Sequence, residues 1–213
     1  MQQTVEQTTV PTRTVEVAAE DLAGSIKGLP RLLTEDLTIS VTGTAAIQGI
    51  EIVGLYGPGA LTIHVVEGAE VTVQIQVWID ACTVPITLEG LRIIGKASPG
   101  GSICYVMCSP HVVVRNCVID RELDINSQKS GVGATNGSNL LLDQCQITNC
   151  ELAINCHSGS VVIASNCTGA NNVMGIGTHG GTVLILGTTP ELLGGSANSK
   201  GGGLIVKGDG TLL

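Results

Sequence analysis

The stretch VGATNGSNLLLDQCQITNCELAINCHSGSVVIASNCTGANNVMGIGTHGG, residues 132–181, repeats itself every 22 residues. Val132, Ile154 and Ile176 open the matching segments VGATNG, INCHSG and IGTHGG. Two positions on, Ala134, Cys156 and Thr178 match again. Strand alternation puts both rows on an inner face and Thr135, His157 and His179 on the outer one, stacked coil upon coil. A further row aligns Cys117, Cys145 and Cys167, each preceded by an amide residue, Asn116, Gln144 and Asn166. Stacked side-chain amides can bond one another along the axis, so a ladder is expected there.

The recurrence extends outward from this stretch. Apolar triplets begin at Leu37, Leu61, Ile86, Val112, Leu140, Val162, Leu184 and Leu204. Near-constant spacing of this size marks a solenoid, whose units bury apolar faces only by stacking on their neighbours. β-Branched runs between Gly, Asn and Ser turns, with little helical periodicity, make it an all-β parallel β-helix. The segment 71–81, VTVQIQVWIDA, alternates strictly, placing Val71, Val73, Ile75, Val77 and Ile79 on one face. Eight coils at a rise of about 4.8 Å give a rod of about 38 Å.

Composition fits a narrow core. Hydrophobic residues make up 43% of the chain, yet Phe is absent and Trp78, Tyr56 and Tyr105 are the only large rings. Each inward side chain must fit the same position one coil away, which favours Val, Ile, Leu, Ala and Cys. The net charge of −8, with ten scattered Lys and Arg, argues against nucleic acid as a partner. No apolar run reaches membrane-spanning length. The N-terminal residues lack a basic region followed by an apolar one, so synthesis in the cytoplasm without a classical signal peptide is expected.

Four stretches follow along the chain. Residues 1–14, polar and Thr-rich, read as a flexible arm. Residues 15–36 form a capping helix and lead-in. Leu22, Ile26, Leu29 and Leu33 have helical spacing, and Pro30 limits the helix to two or three turns. Residues 37–213 are the β-helix, ending in a strand, Leu204-Ile205-Val206, whose flanking glycines free it to pair with another subunit. The eight cysteines read as reduced, buried small hydrophobes, because the compartment is reducing and no CxxC pair closes a zinc site.

The order AAEDLAGSIKGLPRLLTEDLTISVTG followed by IEIVGLYGPGALTI resembles the cap and opening coils of short pectate-lyase-like β-helix proteins from prophage tail regions of Gram-positive bacteria. The similarity covers residues 15–70 in pattern and the remaining coils in architecture. It implies a right-handed coil, a tail-fibre or tail-appendage component, virion association and a homotrimer, with no catalytic residues carried over.

Candidate chemistry is sparse. Asp120, Glu122 and Asp124, with Arg121 beside them, form the only acidic concentration in a coil, and it falls in the longest one. Glycoside hydrolysis needs two carboxylates across one bond, and this segment is the one place that offers them, although a solvated loop explains it as well. Arg115 or Arg121 could complete a lyase-like acidic cluster. THGG at 178–181 only echoes a polygalacturonase Gly-His-Gly motif, and no Asp-Asp occurs. His157 and His179 are candidates to share a metal, but a third ligand is missing where Thr135 holds the column. No cofactor is expected. The leading expectation is a non-enzymatic structural or host-surface-binding component of a phage-like tail, a homo-oligomer that can meet cell-surface polysaccharide. The alternative is a carbohydrate-active β-helix enzyme, lyase or glycoside hydrolase. A third is a free-standing assembly protein. Positive mean hydropathy with only 13% charged residues further implies apolar surface that an oligomer would bury.

Overall fold

The computed structural model describes residues 10–95, 101–121 and 130–213. The middle coils run through three short strands, as in Asn139–Asp143, Gln146–Thr148 and Leu152–His157, while the coils from Asp36, Leu61 and Thr182 have two. The first strands of successive coils stack in a nine-stranded parallel sheet: Thr12–Ala18, Asp36–Thr42, Leu61–Val65, Ile86–Glu89, Val112–Arg115, Asn139–Asp143, Val161–Ser165, Thr182–Leu186 and Leu204–Lys207. The second and third strands build two more ladders. These merge at one end in the long strand Glu70–Asp80, which pairs with Arg92–Ile94 through its first half and with Ser102–Met107 through its second. Ile75 lies near this change of partner and is only half-buried, whereas Val71, Val73, Val77 and Ile79 are fully buried. The expected single face therefore breaks where one strand serves two walls.

The core is a set of stacked rows. Val132, Ile154 and Ile176 are register partners and wholly buried, and so are Ala134 and Cys156, with Thr178 nearly so. In the nine-stranded sheet the inward row runs Leu37, Leu61, Ile86, Val112, Leu140, Val162, Val183, Ile205. The last two anchors differ by one residue from the triplet starts. Leu184 and Leu204 consequently point outward, since a one-residue shift exchanges the faces of a strand.

The amide row has a different role from the one expected. Asn116, Gln144 and Asn166 adopt φ of +52°, +52° and +50°. Each donates its backbone N–H to the next coil, to Asp143, Ser165 and Leu186 carbonyls. Their side chains are exposed and do not bond one another; Asn116 reaches Glu89 and Asn166 reaches Ser165. An amide residue tolerates the left-handed conformation that lets the following Cys117, Cys145 and Cys167 turn inward. A buried side-chain ladder does exist elsewhere. Ser109 Oγ accepts from Cys82 N–H, Ser138 Oγ from Ser109 N–H, and Ser160 Oγ from Ser138 N–H, at 3.1–3.2 Å.

The ends are closed by different means. A 3-10 turn, Ala19–Asp21, leads into the helix Leu22–Lys27, which lays buried Ala19, Leu22 and Ile26 on the first coil beside Thr44–Val53. Leu33 is buried as well and Leu29 partly so. The arm expected over residues 1–14 gives way to structure by Thr12, because Thr12–Ala18 pairs residue for residue with Asp36–Thr42. Residues 1–9 lie outside the described residues. At the far end Leu204–Lys207 pairs with its own chain's Thr182–Leu186. Its other edge is met by the last residues, through Lys207 N–H to Thr211 and Leu213 N–H to Ile205. The strand expected to cross to another subunit is thus paired on both sides at home.

Candidate functional site

Asp120 closes the strand Val118–Asp120 at a corner of the coil. Its carboxylate accepts from Asn149 Nδ2 at 2.7 Å and Thr148 Oγ1 at 3.0 Å and faces Arg92 at 3.4 Å. Asn171 Nδ2 in turn donates to Asn149 Oδ1 at 3.1 Å, so Asp120, Asn149 and Asn171 form a ladder along the axis. Arg121 is 4% exposed, too buried for a solvated loop. It lies close enough to Cys150 to oppose the burial that pushes that thiol up to about 12. Asp120 and Arg121 therefore belong to the coil itself. Glu122 and Asp124 lie outside the described residues.

His157 and His179 are register partners on adjacent strands, with ring centroids 5.9 Å apart and planes tilted by 36°. His157 Nε2 hydrogen-bonds Asn155 Oδ1. Burial, reinforced by the charge of His179, holds the His157 imidazole below its ordinary value. Lys200 follows His179 in the same row. Among the described residues no group of three metal-ligating side chains converges.

The same outer wall carries the two aromatic neighbours Trp78 and Tyr105. They stand edge to face with centroids 5.6 Å apart and an interplanar angle of 82°. Their row continues through Gly133, Asn155, Gly177 and Asn198. A Cβ on Gly133 would stand 2.0 Å from Ser102 Oγ and 3.0 Å from the Tyr105 ring, so glycine lets that ring lie over the backbone. Aromatic residues thus occupy one end of this wall and the histidines and Lys200 the other.

The nine-stranded sheet presents a second surface that sequence reasoning did not place. One outward row reads Thr14, Thr38, Thr62, Thr87, Val113, Leu141, Ile163, Leu184, Val206, polar at first and then wholly aliphatic. A groove of about 510 Å³ opens beside it, lined by Pro85, Pro110, His111, Val113, Leu141 and Ile163. The next outward row holds Ser40, His64, Glu89, Arg115, Asp143 and Ser165. Glu89 accepts from Arg115 at 3.1 Å and from Asn116 at 3.2 Å, and meets His64 at 3.1 Å. Burial alone would raise the Glu89 carboxyl, but Arg115, Asn116 and His64 together outweigh it and hold the group below the usual range. These rows were legible once each residue after an inward anchor was read as a column; the misplaced Leu184 and Leu204 anchors hid their far end.

Seven of the thiols are buried, six of them raised and Cys167 lowered by the bond it accepts from Cys145. Burial pushes Cys104 up to about 12 and Cys117 and Cys156 up to about 11. Cys145 is raised well beyond the usual thiol range by its bond to Cys167 one coil away, with burial adding to it. Only Cys108 is exposed, and all eight are free. No helix among the described residues is long and apolar enough to cross a membrane.

No match to the chain is found among curated proteins or among solved structures. Stacked parallel coils, inward aliphatic rows and one-residue left-handed corners describe a β-helix, and residues 52–212 match the family model described as the right handed beta helix region: the chain belongs to that family.

Proposed function

We propose that this chain is a non-enzymatic structural or host-surface-binding component of a phage-like tail, of the pectate-lyase-like type found in prophages of Gram-positive bacteria, and that it works as a homo-oligomer. The observation that carries the reading is the aliphatic row Val113, Leu141, Ile163, Leu184 and Val206 on the outer face of the nine-stranded sheet. A contiguous apolar strip of this kind marks an interface. Nine strands at about 4.8 Å spacing and about 17 Å of strand width give a face of about 700 Å², close to one partner's share of a standard interface. Packing such rods side by side around a common axis covers the strip on every copy at once. The trimer is preferred on resemblance.

Light scattering of the purified protein tests this. The wild type should elute as an oligomer at micromolar concentration, and Leu141→Lys combined with Ile163→Lys should give a folded monomer. A stable wild-type monomer would remove the proposal's support. The second reading, a carbohydrate-active enzyme, is favoured by Trp78 and Tyr105 on the wall that also carries His157. Release of new reducing ends or unsaturated products from polysaccharides, abolished by Trp78→Ala, would establish it.

A further inference from the structure

The wall that carries His157 also holds a small polar cradle unrelated to the assembly face. Three successive strands, Leu152–His157, Met174–His179 and Ser196–Lys200, align two outward rows there. One row is His157, His179, Lys200; the other is Asn155, Gly177, Asn198. Leu152 and Met174, also partners in register, stand at the side of a depression of about 250 Å³ lined by these residues. Gly177 keeps the middle of the amide row empty, since a Cβ there would meet Leu152 Cδ2 at 2.9 Å. The His179 ring lies against the Gly201 backbone, with Nε2 2.9 Å from where a Cβ would stand.

Counting donors and acceptors decides what fits. His157 spends Nε2 on Asn155 Oδ1, which leaves the Asn155 amide N–H₂ free to donate outward. Lys200 brings three donors, and Asn198 brings a second amide. The cradle contains no carboxylate, in a chain with 18 acidic and only ten basic residues. A shared cation is disfavoured because Lys200 stands next in the histidine row. We infer that this cradle binds an oxyanion, carried on a ligand whose apolar part lies against Leu152 and Met174. The donors face one gap, the positive charge is local, and the apolar side matches an uncharged body behind the anionic head.

Binding should strengthen on acidification, as the His157 imidazole takes up its proton. On the N-terminal side the neighbouring strand Ser130–Thr135 pairs Ala134 with Cys156, which sets Thr135 beside His157, and Met107 and Asp80 follow in that row. On the C-terminal side the neighbour is Lys200. The titrating groups immediately along the row are therefore His157, His179 and Lys200, with Asp80 three strands away from His157.

Nuclear magnetic resonance of the two imidazole rings at constant ionic strength provides the test, with inorganic phosphate, sulfate and butyrate as probes and butanamide as the neutral control. At least one anion should shift both rings saturably, and butanamide should not. Phosphate or sulfate alone binding identifies a tetrahedral head; butyrate binding, and binding more tightly than acetate, identifies a carboxylate with an apolar body. Affinity should fall by about tenfold between pH 5.5 and 7.5, and Lys200→Gln should weaken it by about fivefold while circular dichroism stays unchanged. The inference is overturned if no anion gives a saturable shift, if Lys200→Gln and His179→Asn each leave the His157 shift intact, or if zinc saturates the rings where anions do not. These outcomes are independent of the oligomeric state, so failure here and failure of the assembly proposal are read separately.

Discussion

Individual residues in the coils are placed by what the interior tolerates, and the cysteines and Thr178 give sharp tests. The seven buried cysteines are shielded from solvent, whereas Cys108 sits at the surface; burial raises five of the seven thiols, and the bond from Cys145 to Cys167 raises the first and lowers the second. A thiol-specific chromogenic reagent should therefore titrate one thiol in the native protein and all eight after denaturation, without reductant. Several fast native thiols would contradict the burial. Thr178 lies in an inward row with its Oγ1 buried and without a hydrogen-bond partner. Valine has the same shape without the hydroxyl, so Thr178→Val should stabilise the fold by about 1 kcal/mol, read as a higher urea midpoint. Gly59 is needed for a close approach: a Cβ there would stand 2.1 Å from the Glu35 carbonyl oxygen, where the second coil crosses the lead-in.

Elements are held by what happens at their ends. The serine ladder satisfies buried N–H groups at one corner that the strands cannot reach, and Ser138 also donates to Thr135 at 2.8 Å. Ser138→Ala leaves Ser109 N–H without its acceptor and should cost about 1–3 kcal/mol, whereas Ser138→Thr should keep most of it. Two strands also carry a pH dependence of one sign. The His157 imidazole lies below its ordinary 6.5 in the fold, so the unfolded chain takes up its proton first. Its contribution is complete above pH 6.5 and is lost as pH falls toward the lower folded value. The Glu89 carboxyl lies below 4.5, so its contribution is lost only as pH falls below 4.5. Urea midpoints should fall in two steps on acidification, with His157→Gln removing the upper step and Glu89→Gln the lower. A flat profile from pH 7.5 to 3 would contradict both assignments.

For the whole molecule, the decisive asymmetry is between its two described outer surfaces. The nine-stranded sheet changes along its length from threonine to aliphatic residues, flanked by a row of Glu89, Arg115 and Asp143 at neighbouring rungs. Glu89 and Arg115 pair with each other within the molecule, so lysine introduced at Leu141 and Ile163 leaves that pair intact and acts on the apolar strip. The other wall is polar, glycine-interrupted and grooved. Side-by-side assembly through the first surface leaves the second free, and the light-scattering and ring-titration experiments address each in turn.

The period of the apolar anchors, the small inward side chains and the free thiols were determined by the sequence itself, because a solenoid repeats each environment and so writes its core into the spacing. The capping helix was legible by a different route, from Leu22 and Ile26 at helical spacing ahead of Pro30. Tertiary structure alone decided the rest. A one-residue change in register turned Leu184 and Leu204 outward, and alternation inside one strand cannot reveal register between strands. Glycine, serine and asparagine at corners look alike in a sequence; which of them enters the core, as Ser138 does, and which adopts a left-handed turn, as Asn116 does, depends on the coil stacked above. Asp120 and Arg121 looked like loop charges for want of that neighbour, since Asn149, which holds the carboxylate, is supplied by the next coil, 29 residues along the chain.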